Sequence, residues 1–417
     1  MLMVIFMEFY LVGIKGAAMS SLANILVDLG HSVSGVDYEK KHFTQANLRS
    51  FIHIEKFEDV TLDKRYFYII GNAFKLHELS LKIIKDYNYS YYPDFINNFF
   101  NMKKIGISGS HGKTTTTSLI GQMSNKMITT LSGDSCGFGK KDSEYFVFEA
   151  CEYQNTFLNY DMDYLVILNI DYDHPDFFKN SNEYQFAFMK AALKSKVVIL
   201  NNDDRGCRKI VAKNIITFGF SPDSNVVLSL ALNKLILQFD NEQFELPFYF
   251  YGKHQAYNLA ASFICCYLMG FKDVKLDNLK LPVRRMEERV LREDLILIND
   301  YAHHPTEIIA TINSIREKYP TFKLIVVYQG HTYSRSKEFY FEYIDALKNA
   351  DEVYIMPIFS SVREEDFEPY LLLSEENGFK MYKKDKMLEI ILEKNIVVAF
   401  LGAGDIDSEF IFLYKKK

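Results

Sequence analysis

Short apolar runs alternate with amphipathic segments of helical length through most of the chain. This alternation is typical of βαβ units packed around a parallel sheet, so it predicts an α/β protein. The strands that the apolar runs predict are too many for one small sheet, which indicates several domains. The predicted strands are the apolar runs at 6–13, 66–71, 104–108, 145–149, 164–169, 197–201, 295–299, 323–329, 352–357 and 396–402.

Two stretches depart from this pattern. Between 226 and 246, turn-forming Asn and Asp separate short alternating runs, which predicts an antiparallel hairpin inserted into a parallel sheet. The start of the chain is apolar, but Glu8 interrupts the run and no basic segment precedes it. Because a membrane-spanning helix needs about 20 apolar residues, this stretch predicts a buried first strand rather than a signal peptide or an anchor.

Length and composition describe an ordinary globular protein of more than one domain. The chain has 417 residues, which exceeds what one hydrophobic core usually supports. Hydrophobic residues make up 48% of the sequence and charged residues 24%. Strand order puts one boundary before the strand at 104–108 and another after the segment P-V-R-R-M-E-E-R. The predicted domains are 1–101, 102–291 and 292–417.

Charge and cysteine content exclude several classes of function. The net charge of -6 argues against a general nucleic-acid-binding protein, which normally presents a basic surface. No pair among the five cysteines has the C-x-x-C spacing of a zinc or redox site, so we expect reduced thiols in a cytoplasmic protein. Neither nucleic acid nor a membrane is an expected partner, and both a monomer and a homodimer remain open.

The strongest local signal is the run I-G-I-S-G-S-H-G-K-T-T-T-T, in which a strand leads into a glycine turn and a helix. Such a turn points backbone N–H groups at phosphate oxygens, and the helix N-terminus adds a favourable dipole. Lys113 is expected to neutralise the outer phosphates and Thr114 to place its hydroxyl on Mg²⁺. The match is incomplete, because Ile107 stands where the strict pattern has glycine. The predicted ATP-binding loop comprises Gly109, Ser110, His111, Gly112, Lys113, Thr114 and Thr115.

Polar side chains follow two further strands. Glu149 ends the run F-V-F-E, and His174 lies in N-I-D-Y-D-H-P-D after the next strand. Ligands of open α/β sheets bind beyond the carboxyl ends of strands, so both residues are expected near the phosphate loop, with Glu149 offering an oxygen to Mg²⁺. His254 and Asn258 lie four apart and share a face of a predicted helix. An ordinary strand end or helix start explains each of these residues as well.

The C-terminal third repeats the arrangement. Asp300 follows an apolar run and is a candidate to anchor a nucleotide or a cation that binds phosphate. Arg335 and Lys337 are candidates to bind an anionic group. Solvated strand ends account for these side chains equally well.

Near the N-terminus, V-G-I-K-G-A-A-M-S-S is similar to a dinucleotide-binding turn. Asp37 follows about 20 residues on, where such proteins read ribose hydroxyls. Lys15 and Ala18 depart from the strict glycine pattern. A hydride-transfer enzyme and a protein that binds another nucleotide therefore both remain open.

Taken in order, these motifs resemble those of the Mur ligases, and the resemblance covers nearly the whole chain. Several ordered motifs are far more specific than any one of them. The motifs are G-I-K-G-A-A-M-S from Gly13, G-N-A-F from Gly71, G-S-H-G-K-T-T-T-T from Gly109, F-E-A-C-E-Y from Phe148, N-I-D-Y-D-H-P-D from Asn169, D-Y-A-H-H-P-T-E from Asp300 and L-G-A-G-D-I from Leu401.

The resemblance implies a fold of three α/β domains. The N-terminal domain would be Rossmann-like and hold a UDP sugar. The central domain would be of the phosphate-loop ATPase type, with a mostly parallel sheet, and the C-terminal domain would again be Rossmann-like. The UDP-sugar residues that the resemblance implies are Gly13, Gly16, Ala17, Met19, Ser20 and Asp37.

The resemblance also implies roles for residues of the other two domains. Thr114, Glu149 and His174 take the metal positions, and Asn258 faces adenine. Arg285 faces the transferring phosphate. The remaining implied residues are Asp300 and His303 at the nucleotide, and His331 and Arg335 in the loop that binds the substrate.

The implied chemistry is ATP-dependent amide formation in peptidoglycan precursor synthesis, with ATP and Mg²⁺ required. The γ-phosphate of ATP would pass to the lactyl carboxylate of UDP-N-acetylmuramate, and the amino group of L-alanine would attack the acyl phosphate. The motifs are closest to those of family members that use this pair of substrates. The implied catalytic residues are Lys113, Glu149, His174 and Arg285.

Two departures from the family pattern leave substrate detail open. Gly330 stands where the family usually has proline, and Ala18 replaces a glycine of the UDP loop. A related ligase that attaches a peptide to the same sugar shares most of these motifs and is the alternative. A non-catalytic nucleotide-binding homologue is disfavoured, because Lys113, Glu149 and His174 are all present.

Overall fold

Parallel β-sheets flanked by helices make up the computed structural model, which describes residues 6–39, 43–271, 274–359 and 377–415. The chain divides into two units. The first unit comprises Met1–Asp171, Gln185–Pro247 and Tyr257–Lys280. The second comprises Tyr172–Tyr184, Phe248–Ala256 and Leu281–Lys417.

The N-terminal domain belongs to the first unit and is built on a parallel sheet. Its central strand is apolar on both faces, with Phe9, Leu11 and Val12 completely buried. The described strands are β1 (Glu8–Val12), β2 (Ser32–Val36), β3 (His53–Glu55), β4 (Tyr66–Ile70) and β5 (Tyr89–Tyr91), in the order β3-β2-β1-β4-β5. The helices are α1 (Ala17–Asp28), α2 (Glu78–Asp86) and α3 (Tyr92–Phe99).

The central sheet is parallel except at one end. Its strands are β6 (Lys103–Ser108), β7 (Thr129–Leu131), β8 (Tyr145–Glu149), β9 (Tyr164–Ile167), β10 (Val197–Asn201), β11 (Ile215–Gly219), β12 (Val226–Ala231), β13 (Lys234–Phe239) and β14 (Glu242–Pro247). In the described residues their order is β14-β13-β12-β11-β10-β9-β6-β8-β7. β12, β13 and β14 pair antiparallel. The associated helices are α4 (Lys113–Met123), α5 (Ser181–Lys194) and α6 (Lys253–Leu268).

The C-terminal sheet lies in the second unit. Its described strands are β15 (Glu287–Arg292), β16 (Leu295–Asp300), β17 (Lys323–His331), β18 (Glu352–Phe359), β19 (Lys380–Met381) and β20 (Ile396–Leu401), in the order β15-β16-β20-β17-β18-β19. Only β15 runs antiparallel to its neighbour among these strands. The helices are α7 (Pro305–Lys318), α8 (Tyr333–Glu338), α9 (Tyr340–Leu347), α10 (Lys384–Ile390) and α11 (Asp407–Tyr414).

Strand β16 shows why this sheet carries helices on both faces. Ile296 and Ile298 pack into a core that includes residues of α7 and α9. Leu295 and Leu297 point the opposite way and pack with residues of α10 and α11. A strand whose alternate side chains are all apolar is stable only when both faces are covered. Short 3₁₀ helices elsewhere in the described chain cover Phe43–Asn47, Phe57–Asp59, Asn72–Phe74, Tyr153–Asn159 and Cys207–Lys209.

The predicted α/β fold with mostly parallel sheets is confirmed. Each predicted strand coincides with an observed strand, with differences of a few residues at the ends. The antiparallel insertion predicted at 226–246 is β12, β13 and β14. The predicted first strand is β1, while residues 1–5 lie outside the described residues. The domain boundaries at 101 and 291 stay a prediction.

No helix in the described part of the chain combines the length and the apolar composition that crossing a membrane requires.

Candidate active site

The glycine turn between β6 and α4 carries the strongest sequence signal. Gly112 caps α4 in the left-handed region, with φ +87°. A Cβ on Gly112 would lie 2.4 Å from Oδ1 of Asn258. Only glycine meets both demands, because other residues are strained at this φ and their Cβ would overlap the carboxamide. The structure therefore brings Asn258 to the loop, where its carboxamide also hydrogen-bonds the Thr116 hydroxyl at 3.4 Å.

The segment after β9 holds the same loop through hydrogen bonds. Asn169 accepts from the His111 amide at 2.8 Å and donates back to the His111 carbonyl at 3.1 Å. Ser110 donates its hydroxyl to the Asp171 carbonyl at 2.6 Å. The His111 ring lies 3.0 Å from the Asp171 carboxylate. The sequence predicted that this segment faces the loop; the structure places Asn169 and Asp171 against it, and the site role of the segment stays a prediction.

Lys113 opens helix α4 and turns back over the loop. Its ammonium group donates to the Ser110 carbonyl at 3.2 Å and lies 3.0 Å from the carboxylate of Glu152. Burial lowers the pKa of Lys113, but the charges of Glu152, Cys151 and Glu149 and the hydrogen bond to Glu152 together raise it above its ordinary value. Glu152 is completely buried. Sequence reasoning quoted this residue within F-E-A-C-E-Y without giving it a role.

Glu149 ends β8 and meets the other residue of the Lys-Thr pair. Its carboxylate accepts from the Gly133 amide, and the nearby Thr114 hydroxyl acts to lower its pKa. Burial raises the pKa of Glu149 above its ordinary value. A carboxylate and a hydroxyl are hard oxygen ligands, and a bound cation would offset the cost of the half-buried charge. These two residues therefore fit the Mg²⁺ position that the sequence predicted for them. Thr115, the next residue of the loop, is buried within α4.

The glycine turn of the N-terminal domain lies between β1 and α1. Gly13 donates its amide to the Val36 carbonyl at 2.9 Å, and Gly16 is the residue before the first turn of α1. The Asp37 carboxylate accepts from the backbone amides of Lys15 and Tyr38, at 2.7 and 2.8 Å. Asp37 thus lies at the predicted turn and holds its backbone.

Three other predicted UDP-sugar residues lie in the first turn of α1. Ala17 is half-buried, whereas Met19 and Ser20 are buried. The Ser20 hydroxyl donates to the Ser135 hydroxyl of the central domain at 2.7 Å. This contact with the central domain was not foreseen from the sequence.

A second group of predicted residues lies in the C-terminal domain, in the second unit. The Asp300 carboxylate accepts from the amides of Met286 and Ala302, at 2.7 and 2.9 Å, and burial raises its pKa. The His303 ring lies 3.1 Å from the carboxylate of Glu307. Glu307 also lies 3.7 Å from the guanidinium group of Arg285. Arg285 and His303 thus share one carboxylate.

His331 and Arg335 adjoin this group within the same unit. The ring of His331 lies 6.0 Å from the ring of His303, between centroids. The guanidinium group of Arg335 donates to the carbonyl of His331, the last residue of β17, at 3.2 Å. Its Nε and Nη2 atoms donate to the two carboxylate oxygens of Asp173, at 2.7 and 3.3 Å.

The pair of Asp173 and Arg335 is buried, with side chains 4% and 5% exposed. Burial raises the pKa of Asp173, but the charges of Arg335, His174 and His304 and the hydrogen bond from Arg335 together lower it well below the ordinary range. His174 follows in sequence, and its ring lies 3.8 Å from the Asp173 carboxylate. The structure therefore groups His174 with the predicted C-terminal residues. Its predicted metal role stays a prediction.

A glycine turn that opens a helix with a Lys-Thr pair, at the carboxyl edge of a parallel sheet, defines a nucleotide-binding α/β protein of the phosphate-loop class. Family models match most of the chain. Residues 8–102 match the catalytic domain of the Mur ligase family, 107–266 match the Mur ligase middle domain, and 284–402 match the Mur ligase glutamate ligase domain. The chain belongs to the Mur ligase family.

Individual relatives agree with this assignment. The chain is 35% identical to the UDP-N-acetylmuramate--L-alanine ligase of Lactobacillus gasseri, and the match covers 96% of each chain. The fold is similar to that of UDP-N-acetylmuramate-alanine ligase from Thermotoga maritima, with a TM-score of 0.76, 21% identity and coverage of 98% and 99%. It is also similar to a murein peptide ligase from Psychrobacter arcticus, with a TM-score of 0.66, 18% identity and coverage of 98% of each chain.

Proposed function

We propose that this chain is an ATP-dependent ligase that joins L-alanine to the lactyl carboxylate of UDP-N-acetylmuramate. The observation that carries the proposal is the arrangement of Lys113, Thr114 and Glu149 at the glycine turn. These residues suit a reaction that moves a phosphoryl group, because they supply a cation, a hydroxyl and a carboxylate at one helix N-terminus. The identity to an L-alanine ligase over almost the full chain supports the choice of substrates.

The first step activates the carboxylate. One lactyl oxygen attacks the γ-phosphorus of ATP, the bond to the bridging oxygen breaks, and ADP leaves with the electron pair. Amide groups of the turn orient the phosphates, and Lys113 offsets the negative charge that builds up on them. Thr114 and Glu149 would hold Mg²⁺, which when bound neutralises phosphate charge and orients the oxygens.

The second step forms the amide. The unprotonated amino group of L-alanine attacks the acyl carbon to give a tetrahedral intermediate. The bond from that carbon to the phosphate oxygen then breaks, inorganic phosphate leaves, and the amine gives up a proton. The phosphate is a far better leaving group than the original carboxylate oxygen, and this explains why ATP is consumed.

Residues of the other domains complete the proposal. Gly13, Gly16, Ala17, Met19, Ser20 and Asp37 would serve the UDP sugar, and Asn258, Asp300 and His303 the nucleotide. Arg285 would face the transferring phosphate, His174 would join the metal position, and His331 and Arg335 would contact the substrate. Domains 1–101, 102–291 and 292–417 would carry these functions in a cytoplasmic enzyme.

The proposal is tested by following phosphate release from ATP, Mg²⁺ and UDP-N-acetylmuramate with one amine added at a time. L-alanine, glycine, L-serine and a tripeptide are compared. We expect the highest kcat/KM with L-alanine. Preference for the tripeptide would assign the chain to peptide ligation, and no release that depends on an amine would overturn the ligase function.

An isotope experiment tests the acyl phosphate route separately. The lactyl carboxylate is labelled with ¹⁸O, and the phosphate released in the presence of L-alanine is examined by mass spectrometry. One labelled oxygen per phosphate is expected, because the carboxylate oxygen that attacks phosphorus leaves with the phosphate. Unlabelled phosphate would contradict this route.

A further inference from the structure

A loop at 132–139 follows β7 and packs against helix α1 of the N-terminal domain. The approach is close at the backbone level: a Cβ on Gly137 would lie 2.2 Å from the Ser21 carbonyl oxygen, and one on Gly139 would lie 2.5 Å from that of Ile25. The loop and helix α1 both belong to the first unit. Glycine at these two positions therefore lets the loop touch the backbone of the helix.

Hydrogen bonds from α1 hold this loop in place. Asn24 donates its carboxamide to the Ser135 carbonyl at 3.0 Å. Asp28 accepts from the Gly139 amide at 3.2 Å. These two hydrogen bonds anchor the second half of the loop. Both side chains lie on α1, far along the sequence from the phosphate turn.

Ser21 makes a different pair of contacts. Its hydroxyl donates to the Ser132 carbonyl and accepts from the Gly137 amide at 3.2 Å. Ser21 is completely buried. One hydroxyl thus closes the loop between residues 132 and 137, with both its donor and its acceptor capacity used.

The carbonyl of Ser132 and the amide of Gly133 belong to the same peptide unit. The carbonyl accepts from Ser21, and the amide donates to the Glu149 carboxylate. Because a peptide unit is planar and stiff, a hydrogen bond at its oxygen restrains the direction in which its N–H points. A bond to the carbonyl also polarises the N–H, which strengthens its bond to the carboxylate.

Gly133 contacts Glu149 so closely that no side chain fits between them. A Cβ on Gly133 would lie 2.9 Å from each oxygen of the Glu149 carboxylate. The direction of this one peptide therefore decides where the carboxylate lies. Ser21 hydrogen-bonds the carbonyl at the opposite end of this peptide and so restrains its direction.

We propose that Ser21 is a positioning residue for Glu149. Its hydroxyl orients the Ser132–Gly133 peptide, and that peptide sets the position from which Glu149 offers its oxygens to the cation. The inference rests on the proposed function, in which Glu149 holds Mg²⁺. Ser21 lies on the helix that begins after Gly16, so the turn proposed for the UDP sugar and the carboxylate proposed for the metal are joined by one helix and one peptide.

The test measures binding of Mn²⁺, as a paramagnetic substitute for Mg²⁺, to the protein with a non-hydrolysable ATP analogue. Electron paramagnetic resonance reports free Mn²⁺, and no amino acid or turnover is needed. We expect Ser21→Ala to weaken Mn²⁺ binding by about tenfold, the low end of what residues that orient metal ligands contribute. In turnover, kcat should fall while KM for L-alanine stays close to that of the unsubstituted protein.

Two matched variants separate positioning from general loosening. Asn24→Ala removes an anchor of the same loop but leaves the Ser132–Gly133 peptide bonded at both ends. Ser80→Ala removes a buried hydroxyl of the same domain that has no hydrogen-bond partner among the described residues. Both should lower metal affinity less than twofold. Unchanged Mn²⁺ affinity in Ser21→Ala, or an equal loss in Asn24→Ala, would overturn the proposal.

Gly133→Ala approaches the same contact from the other side, because its Cβ would displace the Glu149 carboxylate directly. It should weaken Mn²⁺ binding by at least as much as Ser21→Ala does. It tests the same contact if Ser21→Ala folds poorly. Wild-type Mn²⁺ affinity in Gly133→Ala would also overturn the proposal. If the unsubstituted protein binds Mn²⁺ but releases no phosphate with any amine, the proposed function fails while the positioning role stands.

Discussion

The Lys113 ammonium group lies 3.0 Å from the carboxylate of Glu152, a residue that is completely buried. A buried carboxylate is stable in its charged form only when a cation or several donors compensate it. Lys113 therefore serves the fold as well as the phosphate site that the sequence predicts. Substitutions at this position have consequences for stability that the loop motif alone does not suggest.

Replacement of Lys113 by alanine should abolish turnover and destabilise the protein together. Loss of a charge that acts on the transferring phosphate should lower kcat by about 100-fold or more. Loss of the Lys113 charge beside the buried Glu152 carboxylate should cost about 3 kcal/mol of unfolding free energy. Both quantities are measured on one preparation, by phosphate release and by urea unfolding.

The double variant Lys113→Ala/Glu152→Gln separates the two effects. A neutral amide no longer needs the cation, so most of the lost stability should return, while turnover should stay absent. Recovery of turnover in the double variant would contradict the role of Lys113, and no recovery of stability would contradict the role of the pair.

Gly112 offers a test of the contact between the phosphate turn and Asn258. Gly112→Ala should cost about 1 to 2 kcal/mol from the left-handed backbone, with a further loss because its Cβ would overlap the carboxamide. ATP affinity should fall as the turn shifts. Urea unfolding and ATP titration measure the two effects.

The matched control is Gly270→Ala. Gly270 has a φ of +86°, close to that of Gly112, but a Cβ there would meet no atom within 4 Å in the described part of the chain. It should therefore show the backbone strain alone and keep full ATP affinity. Equal losses in the two variants would show that the overlap with Asn258 has no effect.

The buried pair of Asp173 and Arg335 should contribute strongly to the stability of the second unit. Asp173→Asn leaves a buried guanidinium group without its anion, which should cost about 3 to 5 kcal/mol in urea unfolding. The double variant Asp173→Asn/Arg335→Met should recover much of this loss. As a control, Glu78→Gln breaks an exposed pair with Lys82 and should leave stability unchanged. A small loss in Asp173→Asn would mean that solvent reaches the pair.

Glu352 should make stability depend on pH in the acid range. Hydrogen bonds from Lys323 and, to a lesser extent, Lys380 lower the pKa of Glu352 from 4.5 to about 2. A carboxyl group whose pKa is lower in the folded state stabilises the fold fully above its unfolded pKa, and this contribution is lost as the pH falls toward the folded pKa.

Thermal unfolding of Glu352→Gln between pH 8 and pH 3 tests this effect. The melting temperature of the variant should lie below that of the unsubstituted protein by a constant amount above pH 5, and the difference should shrink as the pH falls below about 4.5. A difference that stays constant down to pH 3 would contradict the shifted pKa.

The predictability of the fold depends on where each strand lies. Central strands such as β9 and β16 are buried on both faces and read as continuous apolar runs, so they could be predicted. β2 has the sequence S-V-S-G-V and β15 the sequence E-E-R-V-L-R, and neither was predicted. Such strands are polar on at least one face, and pairing with neighbouring strands stabilises them, β2 with β1 and β3, and β15 with β16.

Part of the candidate site could likewise be predicted from the sequence. The strand and helix ends at the glycine turn carry Lys113, Thr114 and Glu149. A lysine, a threonine and a glutamate at such ends indicate by their side chains what they can bind. Glu152 was not predicted, because its role comes from a contact across 39 residues of sequence. Arg335 was predicted to bind an anionic group, and the structure pairs it with Asp173, which is 162 residues away.

The sequence by itself determined the parallel α/β layers, the position of the phosphate turn and the family, because these depend on local periodicity and on ordered motifs. Only the tertiary structure decided which charges pair and which peptide orients Glu149. Hydrogen bonds and ion pairs form between atoms within about 3 Å, and folding brings together residues whose separation along the chain carries no such information.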